Sequence, residues 1–258
     1  MLCLSFVVII TRTPRRLQCF SLESVKKTCY NSCNDEKHTA ILKVFAMKKP
    51  YISNNVIRRM PRYLRKLEEL MRHGVERISS GELGRQMGLT PSQIRQDFSC
   101  FGEFGQQGYG YNVKALHQEI AGILGTGNHY SAVLIGVGNL GHALIGNFPF
   151  SKFGFRFLGA FEIDKSLVGT TVGGYPVMDA EDQAAFIRDN AVDIAILSVP
   201  KPEAQSVADR IIGCGIRAIW NFTDVEVDPG QSGVIVENIH FSDSLLALSY
   251  YLSSEVEA

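Results

Sequence analysis

At 258 residues, with 45% hydrophobic and 20% charged side chains, the chain has enough apolar material for one or two packed domains. No stretch reaches the ~18 apolar residues of a membrane-spanning helix, so such a helix is excluded and no membrane partner is expected. Twenty-six basic residues balance 26 acidic ones, but the balance is uneven along the chain: 7 against 3 in residues 1–46, 12 against 7 in 47–130, and 7 against 16 in 131–258. A basic front and an acidic back point to a nucleic-acid-binding half, although a solvated helix face explains a small local excess equally well.

Residues 1–46 hold Cys3, Cys19, Cys29 and Cys33. The apolar run Met1–Ile10 precedes its arginines (Arg12, Arg15, Arg16), the reverse of a secretory signal, and no small-residue cleavage site follows. Cys29, Cys33 and His38 lack a second pair at structural-zinc spacing, so no metal is expected. The segment reads as a disordered leader, or as sequence upstream of a start at Met47. Cys100 and Cys214, the two cysteines beyond it, fit a reducing cytoplasm.

In the basic segment Val56, Met60, Tyr63, Leu64, Leu67, Leu70 and Met71 recur at helical spacing, with Arg58, Arg59, Arg62, Arg65 and Lys66 between them. Pro61 is tolerated in a first turn, so the helix is predicted to begin near it and to close at Gly74. Ser79-Ser-Gly-Glu82 then caps a short helix with Leu83 and Met87 inward, ending at Gly88. Thr90-Pro-Ser-Gln93 caps the next, with Ile94 and Phe98 facing the core and Gly84 at the crossing. Two capped helices joined by a glycine turn are the pattern of a helix-turn-helix, over about 63–102. Its second helix would offer Ser92, Gln93, Arg95 and Gln96 to base edges, while Arg58, Arg59 and Arg62 would hold phosphates. A capped helical hairpin of purely structural use fits these signals equally well.

Phe101–Tyr111, with four glycines among aromatics, is too aromatic for a linker and too rich in glycine for a helix. It is expected to form a β-hairpin wing with Gln106 and Gln107 at its tip, which shifts the balance towards DNA binding. Asn112 caps a last helix with Val113, Leu116, Ile120 and Leu124 inward, and Gly125–Asn128 is the hinge to a second domain.

There, the apolar run Ala132–Ile135 meets Gly136-Val137-Gly138-Asn139-Leu140-Gly141 and a following helix, a setting in which these glycines allow a pyrophosphate close to a helix N-terminus. The acid that holds a ribose should end the next strand. Phe155–Phe161 is that strand, with Glu162 at its end and Asp164 beyond, 26 residues after Gly136. An acid there repels a 2′-phosphate and favours NAD(H) over its phosphorylated form. A helix over 179–189, a strand over 193–199, a helix over 203–212 and strands over 216–220 and 234–236 continue the alternation, which predicts a doubly wound parallel sheet. Ser198, Val199 and Pro200 lie at a strand's carboxyl end, where ligands of such sheets collect. The apolar 243–252 stretch is read as a helix that buries itself against a second subunit, and ordinary packing remains the alternative.

These motifs together resemble the Rex family of bacterial redox-sensing transcriptional repressors over about residues 50–253. The resemblance is carried by Ser79–Leu83, Ile94–Ser99, Phe101–Gly105 with Gly108–Tyr111, Gly136–Gly141, Leu197–Pro200 and Val236–Asn238. It implies a cytoplasmic homodimer with exchanged C-terminal helices, which leaves a palindromic operator when NADH binds while NAD⁺ competes weakly. The fold class is thus α/β: a winged helix-turn-helix domain over 51–128, a Rossmann-like doubly wound domain over 129–240 and a dimer-swapped helix over 241–253, behind the 1–46 leader.

Against the family pattern, Gln96 stands for a lysine, Gln106-Gln107 for wing cations, and Glu162 for an aspartate. Asn147 stands for a tyrosine and His240 for an aspartate at the positions that, by the resemblance, read the nicotinamide's redox state and act as the switch. Two further readings stay open. One is the same fold binding another adenine nucleotide, such as a coenzyme A derivative, or holding DNA constitutively. The other is an NAD-dependent oxidoreductase, for which His240 is the candidate acid or base, but no convincing catalytic set accompanies it. No enzyme and no catalytic residue is therefore expected.

Overall fold

The computed structural model describes residues 52–102, 104–105 and 109–254. It divides into two units, Met1–Ile57 and Arg58–Ala258. The leader 1–46 and the wing-tip pair Gln106-Gln107 lie outside the described residues. In the first unit, the described part opens helix α1 (Asn54–Arg72), where Ser53 Oγ accepts from Val56 N at 3.4 Å. Pro61 therefore sits within the helix and not in its first turn. Its ring faces solvent, and the apolar stripe predicted around it holds: Met60, Tyr63 and Leu67 are buried, whereas Met71 is exposed.

In the second unit, strand β1 (Arg77–Ile78) leads into α2 (Ser80–Met87) and α3 (Pro91–Ser99). Both caps form as their sequences dictate. Ser79 Oγ accepts from Glu82 N at 3.0 Å and Thr90 Oγ1 from Gln93 N at 3.1 Å, satisfying amides that have no partner inside the helix. The Glu82 carboxylate is turned along its own helix to Arg85 and Gln86. Gly84 lets the turn close: a Cβ there would lie 2.4 Å from the Leu89 carbonyl oxygen and 3.4 Å from Ile94 Cδ1 of α3. Strand β2 (Tyr111–Asn112) runs into α4 (Val113–Ile123), capped by Asn112.

The strand that ends the expected wing, β2, pairs antiparallel with β1, which precedes the two helices, and the tip expected for the wing lies outside the described residues. Tying the end of the segment to a strand 33 or more residues earlier closes the domain around α2 and α3.

Seven strands build the second sheet, in the order β5-β6-β4-β3-β7-β8-β9. They are β3 (Tyr130–Ile135), β4 (Phe155–Glu162), β5 (Thr171–Val172), β6 (Tyr175–Asp179), β7 (Ile194–Leu197), β8 (Ala218–Asn221) and β9 (Ile235–Asn238). All neighbours are parallel except β5 and β6. Helix α5 (Asn139–Asn147) contributes Ile145 to the core on one face, with Ala132, Phe157 and Val177. Helices α6 (Gln183–Asp189) and α7 (Ala204–Ile212) contribute Ile187 and Ile211 to the other, with Val133, Phe161 and Leu197. Helices on both faces of a largely parallel sheet confirm the doubly wound expectation.

Strands β5 and β6 were not foreseen, and Asp179, expected to be helical, is instead the last residue of β6. Gly173 and Gly174, with φ of +57° and +86°, form the two-residue turn between them, a conformation that favours glycine at both positions. Helix α8 (Phe241–Ser254) presents its apolar side chains to solvent, Leu246 at 68% exposure and Tyr250 at 69%.

Gly84→Ala should lower the free energy of unfolding by about 1–3 kcal/mol, because a backbone carbonyl cannot yield to the new methyl. Gly81→Ala, whose Cβ would meet nothing nearer than Ser79 Oγ at 3.7 Å, should be neutral or stabilising. Urea denaturation of the two variants checks this.

Candidate functional site

The sheet order places the turn after β3 at the switch point, where the chain first winds out through β4 and later returns through β7. Each glycine of that turn answers a different requirement. Gly136 has φ +93°, and a Cβ there would lie 2.6 Å from the Ser198 carbonyl oxygen and 3.1 Å from Val199 Cγ1. Gly141 brings α5 against the sheet, since a Cβ would lie 2.2 Å from the Gly136 carbonyl oxygen. Gly138 has open space where a Cβ would be, with no atom within 4 Å. It is also the N-cap of α5 and offers the helix no side-chain cap. The first amides of α5 are left for a ligand, and the helix dipole favours an anion there.

Glu162 ends β4 and turns back on this loop. Its Oε2 accepts from Val137 N at 2.6 Å, and its Oε1 from Ile163 N at 2.7 Å and Asp164 N at 3.1 Å. Ser198 Oγ donates to the Gly136 carbonyl at 2.7 Å, joining the end of β7 to the same turn. Gly136, Val137, Gly141, Glu162, Ser198 and Val199 are thus one assembly, flanked by Gly138, Asn139, Leu140 and Pro200. Asp164, the other acid expected near the ribose, is exposed and bonded within its own turn. Its Oδ1 accepts from Ser166 N at 2.9 Å and Ser166 Oγ at 2.7 Å, and these bonds hold its carboxyl below the usual range.

The two switch positions have separate partners. Asn147 Nδ2 donates to the Ala143 carbonyl of its own helix at 3.0 Å. His240 Nδ1 lies 3.8 Å from Asp224 Oδ1, and Lys201 Nζ reaches that carboxylate at 3.0 Å. Lys201, with His240 second, holds the Asp224 carboxyl below its ordinary value. The segments carrying Asn147 and His240 are linked by a series of rings: Phe148 to Trp220 at 5.4 Å, Trp220 to Phe222 at 4.6 Å, and Phe222 to Phe241 at 6.2 Å. The aromatics are plain in the sequence, but their meeting depends on the sheet order.

On α3, Ser92, Arg95 and Gln96 are exposed and Gln93 is half-buried. Arg95 is held by Ser80 Oγ and Ser92 Oγ, each at 3.1 Å, so its guanidinium is positioned beside the two helix starts. Arg62 is exposed and donates to the Met87 carbonyl at 3.5 Å. Arg58 is exposed as well and pairs with Glu237 of β9 at 3.1 Å.

Arg59 does not fit the phosphate role expected for it. Its Nε and Nη2 each donate to the carboxylate of Asp97 at 2.7 Å, and Tyr63 Oη donates to the same carboxylate at 2.8 Å. Asp97 is 2% exposed and Tyr63 fully buried. Burial, and then Asp97, raises the Tyr63 hydroxyl well above its ordinary value, so it stays a donor. The arginine fastens α3 to α1 and has its charge answered internally. The structural role of Asp97 is not visible in the sequence, because nothing local marks which of several basic residues a helical aspartate will meet.

A capped helix-turn-helix followed by an α/β sheet with an open glycine cradle defines the class: a DNA-binding regulator with a nucleotide-type domain. Two family models match accordingly, one described as the N-terminus of putative DNA-binding proteins over residues 51–99 and one as a CoA binding domain over 128–225. The redox-sensing transcriptional repressor Rex of Caldanaerobacter subterraneus subsp. tengcongensis is 49% identical over 208 residues, covering 81% of this chain and 92% of that protein. The Rex of Clostridium tetani is 45% identical over 210 residues, covering 81% and 99%. Among solved structures, the Rex-family repressor RSP in complex with β-NAD⁺ and operator DNA superposes with a TM-score of 0.75 at 48% identity, covering 80% of this chain and 94% of that one. Its complex with β-NADH gives 0.73 at 46%, covering 79% and 95%. The chain belongs to the Rex family of redox-sensing transcriptional repressors, a family of regulators and not of enzymes.

Arg59→Ala should cost about 3 kcal/mol of stability, because it strands a buried carboxylate. Arg58→Ala removes a surface pair and should cost no more than about 1 kcal/mol. Urea unfolding, followed separately for each variant, distinguishes an arginine that fastens two helices from one in an exposed pair.

Proposed function

We propose that this chain is a cytoplasmic, homodimeric repressor that binds a palindromic operator and is released from it by NADH. The observation that carries the reading is the empty space at Gly138, over uncapped α5 amides and beside Glu162, on the same chain as a capped recognition helix. The residues fit a dinucleotide. Gly138, Asn139 and the start of α5 would hold the pyrophosphate; Glu162 would turn from the Val137 amide to a ribose diol; Ser198, Val199 and Pro200 would flank the bound molecule. The dinucleotide supplies a nicotinamide whose charge differs between its oxidised and reduced forms, and Asn147 and His240 stand at the positions that would sense the difference.

Arg95, Gln96, Gln93 and Ser92 would read base edges, and Arg58, Arg62 and the wing with Gln106 and Gln107 would contact the backbone. The division of labour follows the expected domains: 51–128 for DNA, 129–240 for the dinucleotide, and 241–253 for pairing of two copies. The solvent-facing leucines and tyrosines of α8 support that last assignment, since an apolar face of this extent is characteristic of a subunit contact. Among the described residues no helix is long and apolar enough to cross a membrane.

The coenzyme A description of the model matched over 128–225 favours one second reading, an adenine nucleotide other than NAD(H) as the ligand.

Fluorescence anisotropy on a two-fold-symmetric site at fixed salt tests both readings. NADH should release the protein, and Gly138→Val should bind DNA normally but fail to respond, because its side chain fills the cradle. Arg95→Ala should weaken DNA binding roughly 10- to 100-fold, while NADH binding is unchanged. A Gly138→Val protein that still responds to NADH contradicts the proposed site, and release by coenzyme A but not by NADH favours the second reading.

A further inference from the structure

The turn that follows the cradle helix reaches the DNA-facing half at two points. Helix α5 ends at Asn147, and residues 148–154 carry the chain into β4 through the short 3₁₀ segment Phe150–Phe153. Aromatic packing stiffens this turn: Phe148 stacks on Phe153 at 5.4 Å, and the buried Phe150 stacks on Phe157 of β4 at 4.7 Å. From the turn, Lys152 Nζ meets Glu68 Oε2 of α1 at 3.1 Å. Gly154, with φ +79°, lies so close to the hinge that a Cβ there would be 2.0 Å from the Thr126 carbonyl oxygen.

Glu68 is held from two sides. Its second oxygen, Oε1, lies 3.8 Å from His117 Nε2 of α4, so the carboxylate sits between α4 and the turn. Among the described residues, Arg58–Glu237 also joins α1 to the nucleotide domain by charge, but both of its side chains are more exposed. Further back on α1, Arg59 grips Asp97 of α3. A continuous series of contacts therefore runs from the cradle helix through the turn and Glu68 to the recognition helix. It coexists with the bond from Val137 N to Glu162, which on the reading above the dinucleotide displaces. The Lys152–Glu68 pair thus accompanies the arrangement that the dinucleotide disfavours.

We infer that the Lys152–Glu68 pair is a latch that holds the DNA-facing half in its operator-binding arrangement. The turn 148–154 is the lever through which a filled cradle opens it. A ligand shifts such an equilibrium only through contacts that differ between arrangements, and a partly exposed ion pair is weak enough to be exchanged. The inference rests on the NADH-release reading above and adds the residues that carry the coupling.

The test uses the full chain with Lys152→Glu, Glu68→Lys and the two reversals combined. Calorimetry gives NADH affinity without DNA, and anisotropy gives operator affinity without NADH, at one salt concentration. Each reversal breaks the same pair, so in both the ratio of NADH affinity to operator affinity should rise about two- to fivefold. The combined variant re-forms the pair with its charges exchanged and should return the ratio to the parent's value. A change of field alone acts differently. Because both ligands are anions, it lowers both affinities in Lys152→Glu and raises both in Glu68→Lys. Lys152→Gln, at an exposed position, guards against a folding defect in the reversals; it should keep the parent's thermal midpoint and show the same rise. A ratio that is unchanged, that falls, that moves in opposite directions in the two reversals, or that fails to recover in the combined variant overturns the latch. A parent protein that NADH does not release from operator refutes the release reading itself, a result seen before any variant is made.

Discussion

The close crossing of β3 and α5 governs this molecule. A Cβ at Gly141 would lie 2.2 Å from the Gly136 carbonyl oxygen, so the helix can start at the switch point only because that atom is missing. Once the crossing is fixed, the first amides of α5 face the crevice, Val137 N meets Glu162, and Ser198 ties the returning strand β7 to the same turn. The anion-binding character of the site belongs to backbone geometry more than to any side chain. Side chains around it can therefore vary while the cradle persists.

The DNA-facing half is organised by an analogous constraint of opposite chemistry. Asp97 is nearly inaccessible to water, and its side chain receives two bonds from Arg59 and one from Tyr63. A buried ion pair adds little net stability over an apolar contact, but it defines a single register of α3 against α1. That register sets where Arg95 and Gln96 point. The half is thus specified by polar pairing, and the nucleotide half by steric allowance.

What could be read from the sequence follows from the range of each interaction. The glycine turn, the Ser79, Thr90 and Asn112 caps and the apolar stripes are local, and their spacing alone reveals them. Strands β5 and β6 are short, and Pro176 interrupts the second, so they lack the apolar run that marked β3; the Gly173-Gly174 turn was their available signal. The role of Arg59 was not legible, because its partner lies 38 residues away and six basic residues share its helix. Similarly, Glu162 was legible as an acid at a strand end, whereas its bond to Val137 N needed the structure. The pairing of β2 with β1 was hidden because a glycine-aromatic run suggests a self-contained hairpin and says nothing of an earlier strand.

Coupling between the two halves has a thermodynamic form. A ligand can shift an arrangement only by as much as its affinity differs between arrangements, and two ligands that oppose one another do so by the same factor. The ring series from Phe148 to Phe241 and the Arg58–Glu237 pair are physical links between the cradle, α8 and the DNA-facing half. The most direct measurement is the NADH affinity of the free protein against that of the protein saturated with operator, at one salt concentration. The account predicts that operator weakens NADH binding by the factor by which NADH weakens operator binding; equal NADH affinities with and without DNA would contradict it.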